Sequence, residues 1–358
     1  MERGRREPCL DQHHGCRPRH RRRAPRRPGV HRRAVGLTLV KIHLTDMKED
    51  TVGNTAAEHD STKPVVLVIG TTGQVGKLMV EEFDRDPGNV QVRYAARKSE
   101  QVDELRAAGR DAVRLDLDDP STFAHALHGV DRVYLLTGYT VAMLTQSKTL
   151  VDAAVKAGVS HIAHQGIFAN WDVTDSHFAW HQLIERYIEE SGLQWTHLHP
   201  NVFMEGLTSM TPVKNGSISV YWGDRRVGWI AARDIAAVAA TVLRQGPTRH
   251  GGKNYWLSTE VASGPEVATI LSEVLGTEIR CEIRGPQDYA AAIAQGSKNV
   301  EKWYAEAGVD FTQQVIDGRM GYIGTVRDDV EFVTGRPSIS LREWATENQD
   351  RLTAGPTA

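Results

Sequence analysis

Cysteine is scarce in this chain: Cys9, Cys16 and Cys281 form neither a paired disulfide framework nor a metal-ligand spacing, and a reducing, cytoplasmic setting is expected. No run approaches the roughly 18 uncharged apolar residues that span a bilayer, so a membrane protein has no support. Serine is missing before Ser61, unlike a transit peptide, and the apolar run from Ala34 to Val40 is short for an export signal. Net charge also looks small, with 43 Lys+Arg against 45 Asp+Glu in 358 residues. The balance is uneven, because residues 1–41 hold 12 Arg and Lys41 against only Glu2, Glu7 and Asp11. The remaining 317 residues therefore carry a formal charge of −12, which gives them no general electrostatic reason to coat nucleic acid.

Residues 1–60 combine Pro, His and clustered Arg with no repeating apolar pattern, and disorder is expected there. Two explanations stand for this tail: a start of translation at Met47, or a nucleic-acid-binding arm, which is the weaker of the two.

From Pro64 onward, short β-branched runs alternate with amphipathic stretches, the pattern of a parallel sheet covered by helices. Strands are expected at 65–69, 90–96, 112–117, 132–137, 161–165 and 194–199. Helices between them begin near Gln74, Ser99, Asp119, Ala142 and Ser176. Beyond Pro200, Ser217 to Trp222, the Gly223-Asp224 turn and Arg226 to Ile230 suggest a hairpin, Asp234 caps a helix, and residues 253–258 form another strand. Helices are expected at 263–275, 286–294, 298–308 and 340–352, with a strand near 279–283. The fold class is thus α/β, a Rossmann-type doubly wound sheet at 61–258. A smaller α+β substrate lobe occupies 259–358 and draws on about 204–228.

The turn Gly70-Thr71-Thr72-Gly73-Gln74-Val75-Gly76 lies between the first strand and first helix, the context a dinucleotide fingerprint requires. Gly70 permits the tight turn, Gly73 lets the backbone approach a pyrophosphate, and Gly76 lets helix and sheet pack closely. The second strand ends Ala95-Ala96-Arg97-Lys98-Ser99, without the carboxylate that would bind the ribose hydroxyls of NAD. Arg97 can grip a 2′-phosphate bidentately and Lys98 adds charge, so NADP(H) is preferred over NAD(H), with Glu100 nearby as the residue that argues the other way. Asp116 either receives the adenine amino group or caps a helix. Thr137, where the fourth strand ends, completes the cofactor-binding set.

The segments Val130 to Leu136 and Ala153 to Ile162, His177-Phe178-Ala179-Trp180-His181-Gln182-Leu183-Ile184-Glu185, and Ser191 to Glu205 together resemble the NmrA-like family of atypical short-chain dehydrogenases. Arg233-Asp234-Ile235-Ala236 and Asp328 to Pro337 are similar too, so the likeness spans about residues 64–352. The resemblance implies NAD(P)(H) binding, and either a reductase of quinones and related acceptors or a redox sensor that regulates a partner protein.

A standard short-chain dehydrogenase uses a Tyr acid with a Lys four residues later and a Ser that orients the substrate oxygen. Here the only such Tyr–Lys spacing, Tyr94 to Lys98, faces the wrong half of a dinucleotide. Gln165-Gly166-Ile167 stands where the family offers Ser, and His181 stands where it often has Lys. The fifth-unit helix is expected to bury Trp180, Leu183, Ile184, Tyr187 and Ile188. His177, His181 and Glu185 climb an adjoining row, read as a contact of His181 to cofactor or substrate, as a metal site, or as a structural row. His199, Asn201 and Phe203 follow the sixth strand at the sheet's carboxyl edge, where ligands bind, though Phe203 is equally a core candidate. The expected reaction is hydride transfer to a flat conjugated small molecule, with His181 or His199 steadying oxygen charge and Phe203, Trp171 and Asn201 facing the substrate. Trp222 and Trp229 are further candidates for lining an enclosed cleft. No metal, no membrane and no nucleic acid are expected; a protein partner belongs to the sensor reading.

Overall fold

The computed structural model describes residues 62–170, 172–296 and 301–354. Val65–Val68 (β1) is wholly apolar and wholly buried, as a strand covered on both faces must be. It leads into Gln74–Arg85 (α1), and the alternation continues through Gln91–Ala96 (β2), Ser99–Ala107 (α2), Asp111–Arg114 (β3) and a 3-10 turn at Pro120–Thr122 that runs into Phe123–Ala126 (α3). Arg132–Leu135 (β4), Met143–Ala157 (α4), His161–Gln165 (β5), Ser176–Glu189 (α5) and Gln194–Pro200 (β6) follow. Then come Val202–Phe203 (β7), Ser217–Val220 (β8), Val227–Ile230 (β9), Ala232–Gln245 (α6), Pro247–His250 (α7), Lys253–Leu257 (β10) and Glu260–Ala262 (β11). The chain ends with Gly264–Leu275 (α8), Arg280–Ile283 (β12), Pro286–Gly296 (α9), Lys302–Ile316 (α10), Asp329–Thr334 (α11), Leu341–Glu347 (α12) and Gln349–Thr353 (α13).

Seven strands pair in parallel in the order β10-β6-β5-β4-β1-β2-β3. The winding direction reverses between β1 and β4, which opens a crevice at their carboxyl ends. Alternate residues of β1 serve opposite faces. Val66 and Val68 pack with Val75, Met79 and Phe83 of α1 and Ile235 and Val238 of α6. Val65 and Leu67 pack with Leu150 and Val151 of α4 and Ile184 and Ile188 of α5. The expected strands and helices of this sheet are all present, with ends moved by a few residues.

The lobe departs from expectation. The Gly223-Asp224 turn exists, with Arg225 N–H donating to Trp222 O at 3.4 Å, yet β8 and β9 do not pair with each other. β8 pairs in parallel with β12, while β9 lies between β7 and antiparallel β11. The hairpin is therefore replaced by two small sheets that interleave residues 202–230 with 260–283. Non-local partners decide the pairing, and local turn chemistry does not. Trp222, Trp229, Leu271 and Trp344 fill the core between them. Asp234 does not cap α6, whose N-cap is Ala231; its carboxylate accepts from Ile339 N–H at 2.9 Å instead. α11, unforeseen, packs Val330 and Val333 beneath the sheet, and Asp329 accepts from the Trp256 N–H of edge strand β10. The 1–60 tail lies outside the described residues.

Candidate functional site

Gly70 stands at φ +78°, a left-handed conformation that a side chain would resist, and its carbonyl accepts from Gly73 N–H at 2.9 Å. A Cβ on Gly76 would lie 2.0 Å from that carbonyl oxygen, so only glycine lets α1 start this close to β1. No side chain caps α1, which leaves its first N–H groups facing the crevice. The cradle fits a diphosphate. Thr72, Gly73 and Gln74 are exposed, whereas Val75 is buried in the core. Thr71 Oγ1 donates to Ala95 O at 2.9 Å, so its side chain ties the turn to β2. Arg97 and Lys98 are exposed at the end of β2, and Arg97 has no ion pair among the described residues. Asp116 is half-buried; Asp118 N–H donates to its Oδ1 and Arg114 lies 3.8 Å from its Oδ2. Thr137 is buried just past β4, and its hydroxyl has no hydrogen-bond partner among the described residues.

α5 buries only part of the expected stripe: Ile184 and Ile188 enter the core and Trp180 is half-buried against it. Leu183 is 57% and Tyr187 39% exposed, while His177, Phe178, His181, Gln182, Ile184, Glu185 and Ile188 face inward. The reason lies in the strands beneath: His164 of β5 and Trp195, His197 and His199 of β6 point at α5, so the helix sets its polar row on a polar floor. His177 and His181 stand four residues apart, the spacing of the missing Tyr and Lys. Burial holds these imidazoles neutral, pushing His181 down to about 4, His197 to about 3, and His164 and His177 well below the usual value. Burial, reinforced by Glu189, raises Glu185 to about 8, so at neutral pH it is a carboxylic acid. Its Oε1 lies 3.5 Å from His199 Nδ1 and would be 2.5 Å from a Cβ on Gly166. A side chain at 166 would thus meet the Glu185 carboxyl. Among the described residues, no group of three His, Cys, Asp or Glu side chains is arranged to hold a metal.

His199 is fully engaged. Ile167 O accepts from its Nδ1 at 3.0 Å, Asn254 lies 2.9 Å from its Nε2, and its ring stacks on Trp256 at 4.1 Å. A neutral ring with hydrogen on Nδ1 accepts at Nε2, which requires the Asn254 amide nitrogen to face it. Asn201 is also engaged, donating to Ser258 Oγ and Ile323 O and accepting from Val202 N–H. Phe203 is half-buried against the sheet core. Trp222 and Trp229 are buried in the lobe core and line no cleft, while Trp171 lies outside the described residues. The sequence reading missed an aromatic wall. Tyr139, in the loop after β4, stacks on Tyr304 of α10 at 4.4 Å, and the ring of His177 meets both edge-on. It also missed His164 and His197, although their alternation with Ala163 and Leu198 along two strands placed them on one face.

A doubly wound parallel sheet with a glycine cradle at its switch point defines a nucleotide-binding fold of the Rossmann type. The chain belongs to the NmrA-like family, whose model matches residues 62–317. It is 31% identical over 297 residues to an NAD(P)H azoreductase of Xenophilus azovorans, covering 78% of this chain and 96% of that one. It is 24% identical over 237 residues to quinone oxidoreductase 2 of Escherichia coli, covering 64% and 81%. In fold it matches the NADPH-dependent quinone oxidoreductase of Escherichia coli solved with NADPH, at a TM-score of 0.68 and 22% identity over 79% of this chain and 99% of that one. NmrA, a negative transcriptional regulator solved with NAD, matches at a TM-score of 0.62 and 17% identity, over 80% and 95%. Among the described residues no helix is long and apolar enough to cross a membrane.

Proposed function

We propose that this protein is an NADPH-dependent reductase of a flat conjugated small molecule, of the quinone or azo type. The observation that carries the reading is the cradle at Gly70, Gly73 and Gly76, where α1 starts without a side-chain cap. Reductase names among the relatives support it. When bound, the dinucleotide supplies hydride. Thr72 and Gln74 bind its diphosphate through backbone N–H groups, Gly73 leaves the approach open, Arg97 and Lys98 select the 2′-phosphate, and Asp116 and Thr137 flank the adenine and nicotinamide sides. His181 faces the acceptor as a neutral hydrogen-bond partner, His199 and Asn201 fix the strand end behind it, and Phe203 and the Tyr139–Tyr304 wall pack against flat rings. Proximity and orientation in a water-poor crevice supply most of the rate, which tolerates the loss of the Tyr acid. The test is purified protein with NADPH and a panel of quinones and azo dyes, following absorbance at the dihydronicotinamide band. Oxidation above the protein-free rate is expected; binding of NADPH with no oxidation by any acceptor would replace the enzyme with a sensor.

A further inference from the structure

Beneath α5 the imidazoles form a file. Glu189 Oε1, at the partly exposed end of the helix, lies 3.7 Å from His197 Nε2. His197 Nδ1 faces His164 Nδ1 at 3.3 Å. The His164 and His181 ring centroids are 6.0 Å apart, those of His181 and His177 5.3 Å, and His177 reaches the Tyr139–Tyr304 wall. Four nitrogens along this line are enclosed without a hydrogen-bond partner: His197 Nε2, His164 Nε2, His181 Nδ1 and His177 Nε2. Buried polar atoms are rarely left so, and one of these four, His197 Nε2, is the atom that lies nearest Glu189 at the entrance.

We propose that Glu189, His197, His164, His181 and His177 form a proton path that carries protons from solvent to the acceptor end of the crevice. The proposal rests on the reductase reading, since an acceptor that takes a hydride needs one proton to finish as a neutral product. Two facing Nδ1 atoms require one hydrogen between them, so His197 carries it on Nδ1 and His164 carries its own on Nε2. A proton arriving at His197 Nε2 then moves the Nδ1 hydrogen to His164, whose Nε2 hydrogen leaves toward His181 Nδ1. Each ring ends neutral in the other tautomer, and no charge is stranded in the core. One proton enters from water for each proton delivered. A turn of a ring about χ2 or a bridging water closes the gap between His164 and His181. The charged and titratable groups facing the file are Glu185, Arg186 and Glu189 from α5, His199 from β6, and Asp329 beyond His199. Arg186 adds to the burial that disfavours a charged His197, so the rings pass the proton by exchange of tautomers and none rests as a cation.

Two variants and one measurement without cofactor test the path. Glu189→Gln changes the partly exposed entrance, and His164→Phe blocks the middle with a ring of similar size. In both, kcat for NADPH and a quinone should fall by about tenfold or more with KM for NADPH unchanged, the scale of lost proton transfer. In the cofactor-free chain labelled with nitrogen-15 histidine, exchange of the His164 and His197 ring hydrogens with water should slow by about tenfold in Glu189→Gln, while His161 on the opposite sheet face stays unchanged. Wild-type kcat in both folded variants, or unaltered exchange in Glu189→Gln, would overturn the path. If the wild-type chain oxidises NADPH with none of the acceptors tried, the reductase reading fails, and the exchange experiment still decides whether protons travel the file.

Discussion

Arg97 is where a single side chain sets cofactor choice. It is exposed, makes no ion pair among the described residues and stands one residue beyond β2, so replacing it by Ala should weaken NADPH about ten- to hundredfold, the worth of a lost charge-assisted bidentate contact, and leave NADH nearly unchanged. Fluorescence titration with both nucleotides reads this directly. Gly76→Ala makes a harsher test of the cradle, because its Cβ would sit 2.0 Å from the Gly70 carbonyl oxygen and the helix must move off the strand. A loss of about 1–3 kcal/mol in unfolding free energy is expected, together with loss of dinucleotide binding. Much at this scale was readable: the glycine turn sits where its spacing said, and the missing carboxylate at 97–99 is plain. The buried state of Glu185 was not, since its partners come from Gly166 and His199, distant in the chain and close only once α5 lies on β5 and β6.

Elements show where sequence patterns stop. In the large sheet β1 announces itself by a continuous apolar run and the other strands by short runs between amphipathic stretches, but the β8 and β9 segments, read as a hairpin, choose partners far along the chain. The α5 stripe holds only in part for a related reason: Ile184 and Ile188 are buried, while the histidines of β5 and β6 draw in the adjoining polar row, of the same helical period, and leave Leu183 and Tyr187 exposed. Glu205 exemplifies what only tertiary structure supplies, accepting from Ala232 N–H at the start of α6 at 3.0 Å and from the Trp344 indole of α12 at 3.1 Å. Burial raises its pKa, and these donors oppose the rise. Glu205→Ala would orphan both donors and should cost about 2–4 kcal/mol in urea unfolding. Glu205→Gln, which keeps one acceptor for them, should cost less than half of that.

Across the whole molecule, buried titratable groups confine stability to a band of pH. The folded state lowers the pKa of His161, His164, His177, His181, His197, His199 and His250, chiefly by burial. Their contribution is present above the ordinary histidine value and is lost as pH falls toward about 4 for His181 and about 3 for His197. Glu185 works the other way: its contribution is complete below the usual carboxylate value and is lost as pH rises through about 8. Asp175, raised to about 6, and Glu205, Asp234 and Asp329 oppose the histidines over the lower range. Scanning calorimetry should therefore show Tm highest near about pH 6.5, with Glu185→Gln flattening the alkaline side. The central claim is that the turn after β1 and the guanidinium after β2 hold NADPH, and isothermal titration calorimetry on the wild-type chain tests it most directly. NADPH should bind at least about tenfold more tightly than NADH. No heat with either nucleotide, oxidised or reduced, would contradict the account.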